Sequence, residues 1–332
     1  MIQNEIKLLK LLREKSLMYT EAAGILNVSN DLLMKYLNNL FLNGYDIQRQ
    51  YYSDGNIRLA LSKVLDDKKG RGKEDKKVPI VTSPDNDEFR AVIISDLHFG
   101  CSKERLDLVK TVFEYASYNE IHTIFGCGDM IDGDPNHSAG KSKILDVQEQ
   151  IEYFIEKFPR DDEILTFTVL GNHEELASKM NAVDIRRAIN NNRKDIIVGN
   201  FDGFEIPIKN EIIRLEHEAL EKFKNGRINI FGHAHKYKLI LNSDANDMKE
   251  RFLTVSCPAL SDVNQGRPAF LEMNLTFEKG KIETAIFSEI GFNNENEMEE
   301  PLNAVISFPI YPDDEEEMSI EKTSKGQKKL KI

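Results

Sequence analysis

Residues 89–98 read FRAVIISDLH, and this stretch decides the fold. Phe89–Ser95 is an almost unbroken apolar run, the pattern of a strand buried on both faces. It delivers Asp96 and His98 at the point where the chain must leave the sheet. The arrangement recurs downstream. Thr123–Phe125 leads to Gly128-Asp129-Met130-Ile131-Asp132, and Ile164–Leu170 leads to Gly171-Asn172-His173-Glu174. IIRL at 212–215 leads to His217, and INIF at 228–231 to Gly232-His233-Ala234-His235. Between them, Glu104–Tyr118 has helical spacing, with Leu106, Val109 and Phe113 on one face, and Ile144–Phe158 reads as a second helix. Further strands are expected at 237–241, 252–256 and 269–274. Strands alternating with helices predict an α/β fold, a sheet with helices on both faces and sites beyond its carboxyl strand ends.

The chain has seven histidines, and five of them lie in these strand-end segments. Carboxylate oxygen, amide oxygen and neutral imidazole together suit divalent cations such as manganese, iron or zinc. An Asp-x-His or His-x-His pair at a strand end can aim both side chains at one centre. Gly128, Gly171 and Gly232 permit tight turns and close backbone approach. Without metal, so many polar groups converging on one crevice would be costly to bury. A metal centre is the expectation.

Asp-x-His, Gly-Asp-x-x-Asp, Gly-Asn-His-Glu, a lone His and Gly-His-x-His, in that order, resemble the calcineurin-like metallophosphoesterase superfamily over roughly residues 89–290. The resemblance implies a four-layer α/β sandwich, two mixed β-sheets flanked by helices, with a two-metal centre at one rim. It implies Asp96, His98 and His235 as ligands of one metal, Asp129 as the bridge, and Asn172, His217 and His233 as ligands of the other. His173 is implied as the catalytic residue facing the substrate or leaving-group oxygen, and Asp132 as a residue orienting ligands. The cofactor expected is two divalent ions, Mn2+ first, with Fe or Zn as alternatives. Two such ions polarise a phosphoryl oxygen and generate hydroxide near neutral pH. The reaction class is phosphate-ester hydrolysis, with protonated His173 stabilising the leaving oxygen.

Two local features narrow the substrate. Protein Ser/Thr phosphatases place an arginine after the second aspartate of the Gly-Asp segment to grip phosphate bidentately. Gly133 stands there, which argues against that branch. The run Ser95–Gly100 resembles the opening of DNA-repair nucleases and of the phosphoesterase small subunit of D-family DNA polymerases. Those branches act on DNA ends, so the expected function is a phosphodiesterase or nuclease acting on DNA. The alternatives are a phosphoesterase of a small molecule such as a cyclic nucleotide, and a non-catalytic DNA-binding adaptor. In many members of the superfamily glycine follows the lone histidine; Glu218 follows His217 here.

The front of the chain has a different grammar. Ile6, Leu9 and Leu12 share one face of a first helix, Thr20 can cap a second, and a third over 31–44 closes at Gly44. Strands at Ile47–Tyr52 and Asn56–Leu61 flank the hairpin signal Ser53-Asp54-Gly55. This order resembles the winged helix-turn-helix family, and residues 1–65 are expected to form such a domain. Nucleic acid is the partner the resemblance implies, through Lys35 on the third helix and Arg49 and Arg58 on the wing. Tyr51 and Tyr52 could stack on bases or pack the wing on the helices. The sparse positive charge leaves a protein-docking or homodimerising role open. Residues 66–85, rich in charge, read as a flexible linker. The phosphoesterase domain is expected over 86–295 and a C-terminal extension over 296–332, disordered from about 313.

Composition closes off other classes. The 332 residues are 40% hydrophobic and 30% charged, which is ordinary for globular chains. No stretch reaches the roughly 18 apolar residues of a membrane span. Three cysteines without a CxxC pair, and no apolar leader at the front, make the cytoplasm the expected location. Net charge is −12, although residues 1–79 hold 14 Lys and Arg against 10 Asp and Glu. The rest is therefore strongly acidic and repels phosphates unless a local device overrides its field. Bound divalent cations are such a device.

Overall fold

The computed structural model describes residues 3–42, 45, 47–51, 57–61, 82, 86–199, 201–218, 227–243, 251–263 and 266–308. Gly44, Tyr52, the turn at 53–55, the segment 66–85 apart from Thr82, and the tail from 313 lie outside the described residues.

The N-terminal unit runs α1 (Gln3–Glu14), β1 (Leu17–Met18), α2 (Tyr19–Leu26), α3 (Asn30–Leu42), β2 (Ile47–Tyr51) and β3 (Ile57–Leu61). Its three antiparallel strands lie in the order β1-β3-β2. Leu8, Leu9 and Leu12 pack with Tyr19, Leu33, Leu37, Leu40 and Leu59 in one small core. Two local expectations are corrected. Ile6 is 41% exposed, and Glu5 is buried instead, its carboxylate accepting from Asn39 Nδ2 at 2.9 Å. Glu5, Leu8, Leu9 and Leu12 follow the helical period better than Ile6 does. Thr20 does not cap α2, which starts one residue earlier behind Met18 without a side-chain cap. Fully buried Tyr19 anchors that first turn, its hydroxyl donating to the Asn30 carbonyl at 2.7 Å.

The larger unit begins with β4 (Glu88–Ile94), α4 (Leu106–Tyr118), β5 (Thr123–Cys127), α5 (Val147–Lys157) and β6 (Leu165–Val169). It continues through α6 (Asn172–Asn181), α7 (Ile185–Asn192) and β7 (Ile196–Val198). Next come β8 (Phe204–Ile208), β9 (Glu211–Leu215), β10 (Ile228–Phe231), β11 (Lys238–Ser243) and β12 (Arg251–Ser256). The last strands are β13 (Ala269–Glu278), β14 (Lys281–Gly291) and β15 (Leu302–Ser307). They form a seven-stranded mixed sheet, β15-β14-β13-β4-β5-β6-β7, and a five-stranded mixed sheet, β11-β12-β10-β9-β8. β4 to β7 run parallel, as do β9, β10 and β12.

Alternation along β4 shows how the layers stack. Val92 and Ile94 join Leu108, Val112, Ile151 and Phe154 under the helices. Phe89, Ala91 and Ile93 join Phe125, Phe167, Ile213, Ile230 and Val255 between the sheets. The expectation of helices on both faces of one sheet is corrected accordingly. The second face carries enough apolar area to bury against another sheet. Among the described residues no helix follows α7, so three of the four expected layers are seen: helices, sheet, sheet. The sheet also runs past the expected boundary at 295, because β15 pairs along β14 from Thr284↔Ser307 to Glu289↔Leu302. No described helix is long and apolar enough to cross a membrane.

Phe167 lies wholly inside the intersheet core, so Phe167→Ala is expected to cost about 3–5 kcal/mol of stability. Tyr118→Ala, at a side chain 88% exposed, should stay within about 0.5 kcal/mol. Urea unfolding of the two variants checks the layer assignment.

Candidate metal centre

Five parallel strands of the two sheets, β4, β5, β6, β9 and β10, end at one rim, and every strand-end residue singled out above lies there. The backbone is bent hard to achieve this. Asp96, His98, Asp129, His233 and His235 all have φ between 49° and 59°. That left-handed region is unfavourable for most side chains and is entered most readily by Asn, Asp and His. Strain concentrated in this way marks sites where orientation matters more than local stability. Gly128, at φ 87°, is forced: a Cβ there would stand 2.6 Å from His217 Nδ1.

Asp96, His98 and His235 make one cluster, with one ligand-type atom of each within 4.8 Å of the others. His235 Nε2 is 3.0 Å from Asp96 Oδ1, yet among the described residues that oxygen has no aligned hydrogen-bond partner. Both ring nitrogens of buried His98 also lack a hydrogen-bond partner among the described residues. Burial holds His98 neutral, with its pKa down to about 4 despite the attraction of Asp129. Orphaned lone pairs in a dry setting are what a cation-binding site looks like from the protein side.

Asp129, His217 and His233 form the second cluster, and Asn172 joins them. His217 Nδ1 faces the Cys127 carbonyl at 2.7 Å, and a carbonyl only accepts, so that nitrogen carries a proton. Nε2 then confronts Asn172 Oδ1 at 2.8 Å and Asp129 Oδ2 at 3.1 Å. Three acceptor atoms in that contact need a second proton or a cation between them. Burial opposes protonation of His217, but Asp129 outweighs it and lifts the pKa to about 9. Asp129 is held correspondingly low: burial pushes it up, and the bond to His217 and the facing imidazoles more than offset this. A divalent cation can replace the second proton, and the donor set of oxygens and imidazoles fits one.

The Asp129 carboxylate stands between the clusters. Its Oδ2 contacts His217 and lies 3.9 Å from His98 Nε2, while Oδ1 accepts from the His173 amide at 3.0 Å. His173 lies beside His98, ring centroids 4.6 Å apart, and its Nδ1 faces the Asp132 carbonyl at 2.7 Å. Nδ1 is therefore the donor there, and Nε2 is the nitrogen left for other work. The Asp132 carboxylate accepts from Ser138 Oγ, Ala139 N and Ser142 Oγ at 2.6, 3.0 and 2.7 Å. It thus ties down the loop ahead of α5, while its carbonyl orients His173.

Sequence reasoning gave no role to Glu174, which the structure makes the staple of the site. Its fully buried carboxylate accepts from the amides of Asp129, Ile131 and Gly171 at 3.1, 2.8 and 2.7 Å. Burial and neighbouring Asp129 raise its pKa to about 7. The available signal was its position three residues after Gly171, the spacing of a residue that bonds back to a helix start. Gln150 is a second such residue: Oε1 accepts from Gly133 N, and Nε2 donates to the carbonyls of Gly133 and Ile144.

The N-terminal candidates lie apart from this cluster. Lys35 Nζ pairs with Glu163 at 2.9 Å, Arg58 is exposed on β3, and the Arg49 side chain lies outside the described residues.

Residues 89–236 match the calcineurin-like phosphoesterase family. The chain is therefore a metal-dependent phosphoester hydrolase. The matched span holds every candidate ligand and all the strands that present them. No curated protein sequence matches this one. The chain is similar to a dimetal phosphatase from Danio rerio, at 10% identity over 67% of this chain and 99% of that one, TM-score 0.40. It is similar to Pseudomonas putida nuclease MPE at 13% identity over 58% of this chain and 86% of that one, TM-score 0.31. A conserved protein of Streptococcus pneumoniae TIGR4, described as a predicted phosphoesterase, is 12% identical over 66% of this chain and 98% of that one, TM-score 0.34.

By binding the native state alone, manganese is expected to stabilise this phosphoesterase by about 2.7 kcal/mol when present at 100 times Kd, and so to raise its melting temperature. His98→Ala should lose most of that gain in a thermal melt with and without Mn2+. Glu174→Gln turns an acceptor oxygen into a donor facing an amide, so a metal-free loss of about 1–3 kcal/mol is expected. Chemical denaturation reads it directly.

Proposed function

We propose that the chain hydrolyses phosphodiesters at a centre of two divalent cations, with nucleic acid as substrate. The observation that carries this is the Asp129 carboxylate, placed between two donor clusters and in contact with both. Asp96, His98 and His235 would hold one cation, Asn172, His217 and His233 the other, and Asp129 would bridge. When bound, such ions polarise a phosphoryl oxygen and lower the pKa of water; manganese suits the donor set, with iron and zinc as alternatives.

The remaining roles fall to the chain's own groups. His173, its Nδ1 proton committed to the Asp132 carbonyl, presents Nε2 to donate a proton to the leaving oxygen. Asp132 acts through His173 and the 138–142 loop rather than on substrate. At Gly133, φ is 75° and a Cβ would stand 2.6 Å from the His173 carbonyl. No arginine can stand there to fork a dianionic phosphate, which favours a diester over a monoester.

The N-terminal unit has the order helix, strand, helix, helix, strand, strand with a β1-β3-β2 sheet, and this supports reading it as a winged helix-turn-helix that engages DNA or a partner protein. The proposed organisation is that unit over 1–65, a linker to 85 and the phosphoesterase beyond it. Three buried free cysteines suit a reducing compartment such as the cytoplasm. The second reading, a small-molecule diesterase whose front unit docks or dimerises, is favoured by one observation: Lys35 is already paired with Glu163.

With Mn2+, hydrolysis of bis-p-nitrophenyl phosphate is expected to exceed that of p-nitrophenyl phosphate. His173→Gln should reduce kcat by about 10²–10⁴-fold, and Asp129→Asn should abolish turnover. Preference for the monoester overturns the diesterase reading. For the front unit, Arg58→Ala should weaken duplex binding uniformly across sequences and lower the salt slope by about 1. Full-length protein that binds no DNA at low salt leaves the small-molecule reading.

A further inference from the structure

A cleft of about 280 Å³ opens beside the metal centre, with His235 in its wall. It runs past Tyr237 and Pro258 and is closed by Arg267 from the loop ahead of β13, Glu289 from β14 and Leu302 from the edge strand β15. His235 also belongs to the cluster with Asp96 and His98. A group in the cleft and a phosphate at the cluster would therefore be close neighbours.

The lining chemistry is specific. The Tyr237 hydroxyl is buried and has no hydrogen-bond partner among the described residues, although its ring packs on the intersheet core. Glu289 is half-buried on β14, and burial raises its pKa against the pull of Arg267. The Arg267 guanidinium is paired with Glu299. An unpaired hydroxyl and a partly desolvated carboxylate call for a ligand bearing N–H donors, because leaving them unmatched costs affinity. Anionic groups are disfavoured by Glu289, Glu299 and Glu300, and cationic groups by Lys236 and Arg267. Pro258 and Leu302 offer apolar surface to a ring. The volume lies below the roughly 300–1,000 Å³ that encloses a whole drug-sized ligand, so it suits one group of a larger molecule.

Resting on the phosphodiesterase reading above, we propose that this cleft seats the base of a nucleotide whose phosphate lies at the metal centre. The base chosen is guanine: its adjacent N1–H and N2–H donors match the Glu289 carboxylate, with Tyr237 completing the edge. Glu289 and Tyr237 then determine specificity without touching the reacting atoms.

The test uses the full chain with Mn2+ and two substrates, the p-nitrophenyl ester of guanosine 5′-monophosphate and bis-p-nitrophenyl phosphate. Glu289→Gln is expected to lower the ratio of their kcat/KM values at least tenfold, with a smaller fall for Tyr237→Phe. The control Tyr118→Ala, on the exposed face of α4, should keep the wild-type ratio. A ratio unmoved by Glu289→Gln in a protein of wild-type melting temperature overturns the proposal. Calorimetric titration with guanosine 5′-monophosphate, beside ribose 5-phosphate, reads the cleft without turnover. Binding at least fivefold tighter for the nucleotide, and lost in Glu289→Gln, is expected. If neither ester is hydrolysed, the hydrolytic reading fails and this titration alone decides the cleft, equal binding of the two ligands overturning it. Guanine-dependent cleavage of a labelled oligonucleotide would assign the site to nucleic acid; cleavage of the mononucleotide ester alone would assign it to a free nucleotide.

Discussion

The His217 imidazole is the contact on which the site depends. It stands at the end of β9 in one sheet and donates from Nδ1 to the carbonyl of Cys127, the last residue of β5 in the other. That bond spends the ring's one neutral-state proton across the sheet interface. Its other nitrogen is left facing the oxygens of Asn172 and Asp129. The conflict is built in, and only an added proton or a cation resolves it. A sandwich that closes in this way has prepared a place for metal before any metal arrives.

Much of the surrounding structure serves to hold that conflict in place. Gly128 leaves room for the His217 ring, and Glu174 gathers three amides so that the loops after β5 and β6 cannot drift apart. A buried carboxylate is costly unless its lone pairs are filled, and here three backbone donors fill them. Asp132 does the same for the loop ahead of α5 while steering His173. The chain carries −12 overall, so attraction of a phosphate has to be local, and cations held by the rim clusters would supply it.

The legible parts of the fold were those with two buried faces. INIF at 228–231 matches β10 end to end, and FRAVIIS at 89–95 falls one residue from β4, because apolar runs this dense have few alternatives. Short polar elements escaped notice. α6 opens with Asn172-His173-Glu174, residues that advertise chemistry rather than helix, and α7 is eight residues with only Ile185 and Ile189 buried. β15, with Leu302 and Val305 exposed, looks like surface chain until its pairing to β14 is seen. In α1 the period was right but the face was set one residue off, since a buried Glu5 bonded to Asn39 is invisible to a hydrophobic count.

By itself the sequence determined which polar residues reach the rim and in what order: acids, an amide and imidazoles, each at the end of an apolar run. Local composition suffices for this, because strands end where apolar residues stop and the polar residues that follow must lie at a rim. Only the tertiary structure decided what those residues face. The grouping of Asp96 with His235, and of Asp129 with both clusters, joins positions far apart in the chain. It depends on two sheets packing so that their parallel strands end together. The unmatched hydroxyl of Tyr237 opposite Glu289 arises in the same way, from the meeting of the β11 and β14 ends, which no pattern along the chain records.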